Sequence, residues 1–215
     1  LQMSFVHWIT QRATALGLED LYFLARDAWI TKQVFDEVRA RGMTEARSHY
    51  LHASRVSLSL SWMAGTTTEE AIRDVFEEID FFGMKLTVGR LMVRFGLNPM
   101  DFATDVEASP LGGLNRLVDT PAARREFFRL IKRIDPTIRA MVEAHRRGYD
   151  QYLRDLGVWD AKRVGVVDNT TSGRTYLRLR SLFCQEGSAN EAFCGLYTYV
   201  PPEAMRRLSP GADVD

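Results

Sequence analysis

The stretch Val164-Gly165-Val166-Val167-Asp168-Asn169-Thr170-Thr171-Ser172-Gly173-Arg174-Thr175 decides how the chain is read. Small and β-branched residues from Val164 to Val167 suit a short buried strand. An acid ends that run, hydroxyl residues and one glycine follow, and the sequence from Thr175 to about residue 185 has helical spacing. Strand, polar loop and helix in succession can place backbone N–H groups and the positive end of a helix around an anion. Gly173 would let the backbone approach a ligand. Thr171, Ser172 and Thr175 can each donate a hydroxyl hydrogen bond. The segment reads as a phosphate-cradling loop or as an ordinary strand-to-helix turn with hydroxyl caps.

Upstream, the same alternation recurs. Residues 2–16 form an amphipathic pattern closed by Gly17. Leu21-Tyr22-Phe23-Leu24-Ala25 is a buried-strand candidate that stops at Arg26-Asp27. A helix follows from about Trp29 to Arg41, with Ile30, Val34 and Val38 on one face. Tyr50-Leu51-His52-Ala53 is a second strand candidate, followed by Ser54-Arg55. Helices alternating with apolar strands predict a parallel sheet with crossover helices.

Residues 57–160 carry helix signals and almost no strand signal. Thr68 can cap one helix, Leu86–Phe95 forms another, Pro121 starts a third, and Asp135-Pro136 starts a fourth. Gly112-Gly113 is the expected hinge. This segment reads as a helical insertion, a cap subdomain over the strand ends. The α/β core would then comprise residues 1–56 and 161–200, with a last strand near Phe193–Val200 and a tail over 201–215. The expected fold is α/β and Rossmann-like, with a parallel sheet of about four strands.

Composition narrows the function classes. The 215 residues carry 28 basic and 28 acidic side chains, which gives no electrostatic reason to invoke nucleic acid or an anionic membrane. No apolar run approaches the roughly 18 residues of a spanning helix. Cys184 and Cys194 lack metal-site spacing and suit small core residues in a reducing, cytoplasmic setting. The four histidines share no ligand spacing. The abrupt start and the Pro/Gly/Asp-containing end suggest a piece of a longer protein with other domains.

Ligands of open α/β sheets bind outside the carboxyl ends of the strands. Three polar clusters would gather there: Arg26-Asp27, Ser54-Arg55 and Asp168 to Thr175. Arginines suit a phosphate or pyrophosphate. Asp168 can accept hydrogen bonds from sugar hydroxyls or hold a metal ion. The alternatives are a local Arg26–Asp27 ion pair or helix cap, a solvated Arg55, and Asp168 as a cap of the helix that follows.

Two resemblances attach to these residues. The frame Val167-Asp168-Asn169-Thr170-Thr171-Ser172-Gly173-Arg174-Thr175 resembles the diphosphoribosyl-phosphate loop of type I phosphoribosyltransferases at Asp168, Ser172, Gly173 and Thr175, with Val167 where that family has its first acid. Arg26-Asp27-Ala28 sits where that family carries its pyrophosphate loop. The order Trp8, Leu21–Asp27, Tyr50–Arg55, Val166–Asp168, Ser172-Gly173 and Gly195-Leu196-Tyr197 resembles the downstream region of large bacterial predicted hydrolases of the haloacid-dehalogenase (HAD) superfamily, which are associated with polysaccharide and glycosyltransferase clusters. The Asp-x-Asp-x-Thr nucleophile loop of those hydrolases is not met at Asp168-Asn169-Thr170, where a second acid is needed to protonate the leaving group.

The resemblances imply a domain that binds a phosphorylated sugar or a nucleotide. Catalysis would be group transfer at a sugar carbon, with Mg²⁺ on a diphosphate. Arg26, Asp27, Arg55 and Asp168 are the candidate catalytic residues. Ser54, Thr171, Ser172, Gly173, Arg174 and Thr175 are the candidate phosphate ligands, and Asp168 is the candidate metal ligand. Part of a HAD-like hydrolase, or a non-enzymatic interaction module of a polysaccharide-biosynthesis protein, are the competing expectations.

Overall fold

A computed structural model of the chain describes residues 2–53, 55–81, 83–170, 173–184 and 189–208. The chain divides into two compact units, one made of residues 1–54 and 151–215 and the other of residues 55–150.

The first unit is an α/β fold with an all-parallel, four-stranded sheet. Its strands are β1 (Asp20–Leu24), β2 (Arg47–Leu51), β3 (Arg163–Thr170) and β4 (Ala192–Tyr199), in the order β2-β1-β3-β4. This is a Rossmann-like arrangement, and the direction of strand succession reverses between β1 and β3. Every residue of β1 is buried, as a central strand covered on both faces requires. Helices α1 (Gln2–Leu16) and α2 (Trp29–Ala40) cover one face, where Phe5, Ile9 and Phe35 pack with Leu21, Phe23 and Val167. On the other face, Phe183 from the helix Arg174–Phe183 meets Tyr22 edge-on at 5.1 Å between ring centroids. Gly165 belongs in β3 because a Cβ there would stand 2.6 Å from Leu21.

The second unit is helical. It contains α3 (Arg55–Met63), α4 (Thr68–Phe81), α5 (Val88–Arg94), a 3-10 turn (Pro99–Phe102), α6 (Ala103–Glu107) and most of α7 (Pro121–Asp155), which ends in the first unit. Its core joins Leu91, Phe95, Phe127, Ile131, Ile138 and Val142. A helix start at Asp135-Pro136 is not what forms, since α7 runs through Pro136 without a break. A proline removes one backbone donor, but the buried stripe Phe127, Leu130, Ile131, Ile134, Ile138 and Val142 continues in phase across it. Arg139 also staples the neighbourhood, donating to the carbonyls of Met63 and Thr66 at 2.6 and 2.9 Å.

The second strand covers Arg47–Leu51 rather than 50–53, because Arg47 and His49 are drawn into it by a buried acid on β1. Ile30 is 59% exposed; α2 turns Thr31 and Phe35 inward instead. The segment after Pro201 opens with a helix, α9 (Pro202–Leu208), where a tail was expected. With α9 assigned, the helix Arg174–Phe183 is α8. Cys184 is exposed rather than in the core. No helix among the described residues is long and apolar enough to cross a membrane.

Candidate functional site

The carboxyl ends of β1, β2 and β3 form one continuous edge. The loop after β1 is tied on both sides. The Ala25 N–H donates to the Leu51 carbonyl of β2 at 2.9 Å, and the Asn169 side-chain amide donates from β3 to the Asp27 carbonyl at 2.9 Å. The Ala25–Arg26 peptide is cis. Between the two ties, Arg26 and Asp27 are exposed. This edge is where β1 and β3 mark the reversal of strand order, the place where open α/β sheets receive ligands.

Asp168 lies within β3, one residue past the strand's last pairing with β1, because the strand runs on along β4 to Thr170 instead of stopping at Val167 as expected. One of its carboxylate oxygens accepts the Asn169 backbone N–H at 2.8 Å, which keeps that oxygen at the strand's carboxyl end. Burial pushes its pKa up to about 6; the Asn169 bond opposes the shift, and the negative charge of Asp27 adds to it. Asp168 can therefore exchange a proton near neutral pH, as a general acid or base must. The Asp27 and Asp168 carboxylates repel each other, and a divalent cation would relieve that repulsion. Mg²⁺ is commonly held by one or two carboxylates with phosphate oxygens and water completing its shell, so this pair fits it. Among the described residues there is no group of three or more His, Cys, Asp or Glu side chains that could hold a metal alone.

The helix-cap alternatives do not hold. Ala28, and not Asp27, occupies the N-cap position of α2. Gly173, and not Asp168, occupies the N-cap position of α8. Gly173 has φ of 83°, and this left-handed geometry by itself calls for glycine. Arg174 begins α8 and is buried, 6% exposed, as is Arg178 one turn on at 9%. Thr175 follows in the first turn and is half-buried.

The remaining expected site residues fall differently. Ser54, Thr171 and Ser172 lie outside the described residues. Arg55 opens α3, in the helical unit rather than on the sheet. The residues sequence reasoning missed are Asn169, which ties the two strand ends, and a series of rings on the β2 side. Trp29 meets Tyr50 edge-on at 4.8 Å, and Tyr50 meets His52 edge-on at 5.2 Å. The Tyr152 hydroxyl accepts the His52 N–H at 2.9 Å and donates to the Tyr50 carbonyl at 3.4 Å, fixing the exit of β2. An unbroken run of aromatic residues would have signalled this series; these residues come from three separate parts of the chain.

A second charged cluster lies at the opposite, amino edge. Asp20 is buried and accepts from Arg47 Nε and Nη2 at 2.7 and 2.6 Å and from His49 Nε2 at 2.7 Å. Burial alone would raise its pKa, but the His49 and Arg47 bonds overcome it and hold Asp20 at about 2. The His49 ring stacks on Tyr22 at 4.7 Å. The buried Asp20 carboxylate is thus satisfied within the fold, as a structural buried acid requires. No protein-family model matches the chain, and no curated protein matches it significantly.

Proposed function

We propose that the carboxyl edge of the sheet binds a phosphorylated sugar or nucleotide, with Mg²⁺ between its phosphate and the Asp27–Asp168 pair. The observation that carries this reading is the tie from Asn169 to the Asp27 carbonyl at the reversal of strand order. It brings an exposed arginine and two acids to one place, and one of those acids has its pKa pushed up to about 6. Arg26 would neutralise phosphate charge, and the start of α8 would supply backbone donors. Asp168 would hold a sugar hydroxyl or the metal and take up a proton if group transfer occurs at a sugar carbon.

Thermal shift with ribose 5-phosphate and with 5-phosphoribosyl diphosphate, each with and without Mg²⁺, tests the proposal. A ligand at a hundredfold over its Kd stabilises by about 2.7 kcal/mol. A rise in melting temperature that needs Mg²⁺ and disappears in Asp27→Asn and Asp168→Ala is expected. An unchanged melting temperature in all four conditions would instead favour a non-enzymatic interaction module.

A further inference from the structure

We propose that the site takes a nucleotide rather than a simple sugar phosphate, with Trp29 as the stacking surface for its base. This rests on the phosphate-ester reading above and adds the class of ligand to it. Trp29 is the first helical residue of α2, two positions after Asp27, yet it is 45% exposed. So large an apolar ring beside a polar site would gain by being covered by a flat ligand. It stands edge-on against Tyr50, itself edge-on to His52, and the Tyr152 hydroxyl bonds the backbone of both of those β2-side residues. An exposed aromatic ring that already has a ring neighbour is suited to stacking on a flat ligand.

Position along the edge gives the ligand its orientation. The rings stand on the β2 side of the loop after β1, and Asp168 stands on its β3 side. Strands lie about 4.8 Å apart, so β2 and β3 are roughly two such spacings apart at this edge, with the rings on the α1/α2 face and Asp168 on the other. That distance is comparable to the span of a nucleoside monophosphate from phosphate to base. Arg26 and Asp27 lie between, where the ribose and phosphate would rest. A sugar phosphate alone would leave Trp29 uncovered.

Calorimetric titration of the full chain in Mg²⁺ decides the matter. The probes are adenosine 5′-monophosphate, ribose 5-phosphate and glucose 1-phosphate. The proteins are wild type, Trp29→Ala and Trp29→Phe, with melting temperatures measured alongside. Adenosine monophosphate should bind the wild type about tenfold or more tighter than ribose 5-phosphate, the margin expected of one stacked base. Trp29→Ala should erase that margin and leave ribose 5-phosphate affinity unchanged, while Trp29→Phe keeps most of it. Equal affinities in the wild type, or a margin that survives Trp29→Ala, would overturn the stacking role while leaving the phosphate site standing. A Trp29-dependent gain with glucose 1-phosphate alone would show a sugar face on the ring and overturn the nucleotide assignment. Failure of all three probes to bind would overturn both proposals together.

Discussion

The side-chain amide of Asn169 donates to the backbone carbonyl of Asp27 at 2.9 Å, bridging two strand ends that are 142 residues apart in sequence. It is the bond that ties the loop carrying Arg26 and Asp27 to β3, alongside the Ala25 bond to β2. Asn169→Ala should therefore weaken binding of ribose 5-phosphate with Mg²⁺ by about tenfold. The lost bond is worth only about 0.5–1.5 kcal/mol of stability. Paired titration and denaturant unfolding check this; a large loss of stability with unchanged affinity would make Asn169 a structural residue only.

Asp168 makes the domain's stability fall with pH in a defined window. Its pKa is about 6 in the folded protein against an ordinary value of 3.8, so between those values the folded state binds more protons than the unfolded state. Stability contributed by Asp168 is therefore fully present below about pH 4 and declines as pH rises through 6. Asp168→Asn removes the decline. The variant should melt several degrees higher than wild type at pH 7.5 and the difference should shrink toward pH 4. Parallel curves across that range would show that Asp168 is not held in a charge-averse setting.

Asp20 acts in the opposite sense. Its folded pKa, about 2, lies below its ordinary 3.8, so its contribution is present above about pH 4 and is lost as pH falls toward 2. Asp20→Asn should destabilise the protein by on the order of 2 kcal/mol at pH 7 and by much less near pH 2. Ligand affinity should not change, because Asp20 lies at the amino edge. Urea unfolding at the two pH values, with a titration at pH 7, separates these effects.

Gly173 is needed for its backbone conformation. At φ of 83°, an alanine is strained by about 1–2 kcal/mol, whereas asparagine adopts this region more readily. Gly173→Asn should therefore be more stable than Gly173→Ala, with melting curves as the measurement. The reverse order would indicate that close contact, rather than left-handed geometry, selects glycine there.

The strands were legible where both faces are buried. Val164–Val167 and Leu21–Leu24 are continuous apolar runs because helices cover both sides of the sheet. β2 was misplaced because it is an edge strand whose polar residues answer to Asp20, a partner 27 to 29 residues away. Pro136 misled for a related reason: local backbone chemistry says stop, but the packed stripe on either side holds α7 together. At the candidate site, the place of Arg26, Asp27 and Asp168 at the carboxyl edge could be read from the apolar runs before them. Asn169 and Trp29 could not, since a tie between strand ends and a ring exposed beside them depend on which strands are neighbours.

If the carboxyl edge at the β1–β3 junction is the ligand site, amide chemical shifts of the uniformly labelled chain should report it as ribose 5-phosphate is added in Mg²⁺. Saturable shifts are expected at Arg26, Asp27, Asn169, Gly173 and Arg174, with Arg47, Ser48 and His49 at the amino edge unmoved. Shifts confined to the amino edge, or to the helical unit, would rule the carboxyl edge out as the ligand site.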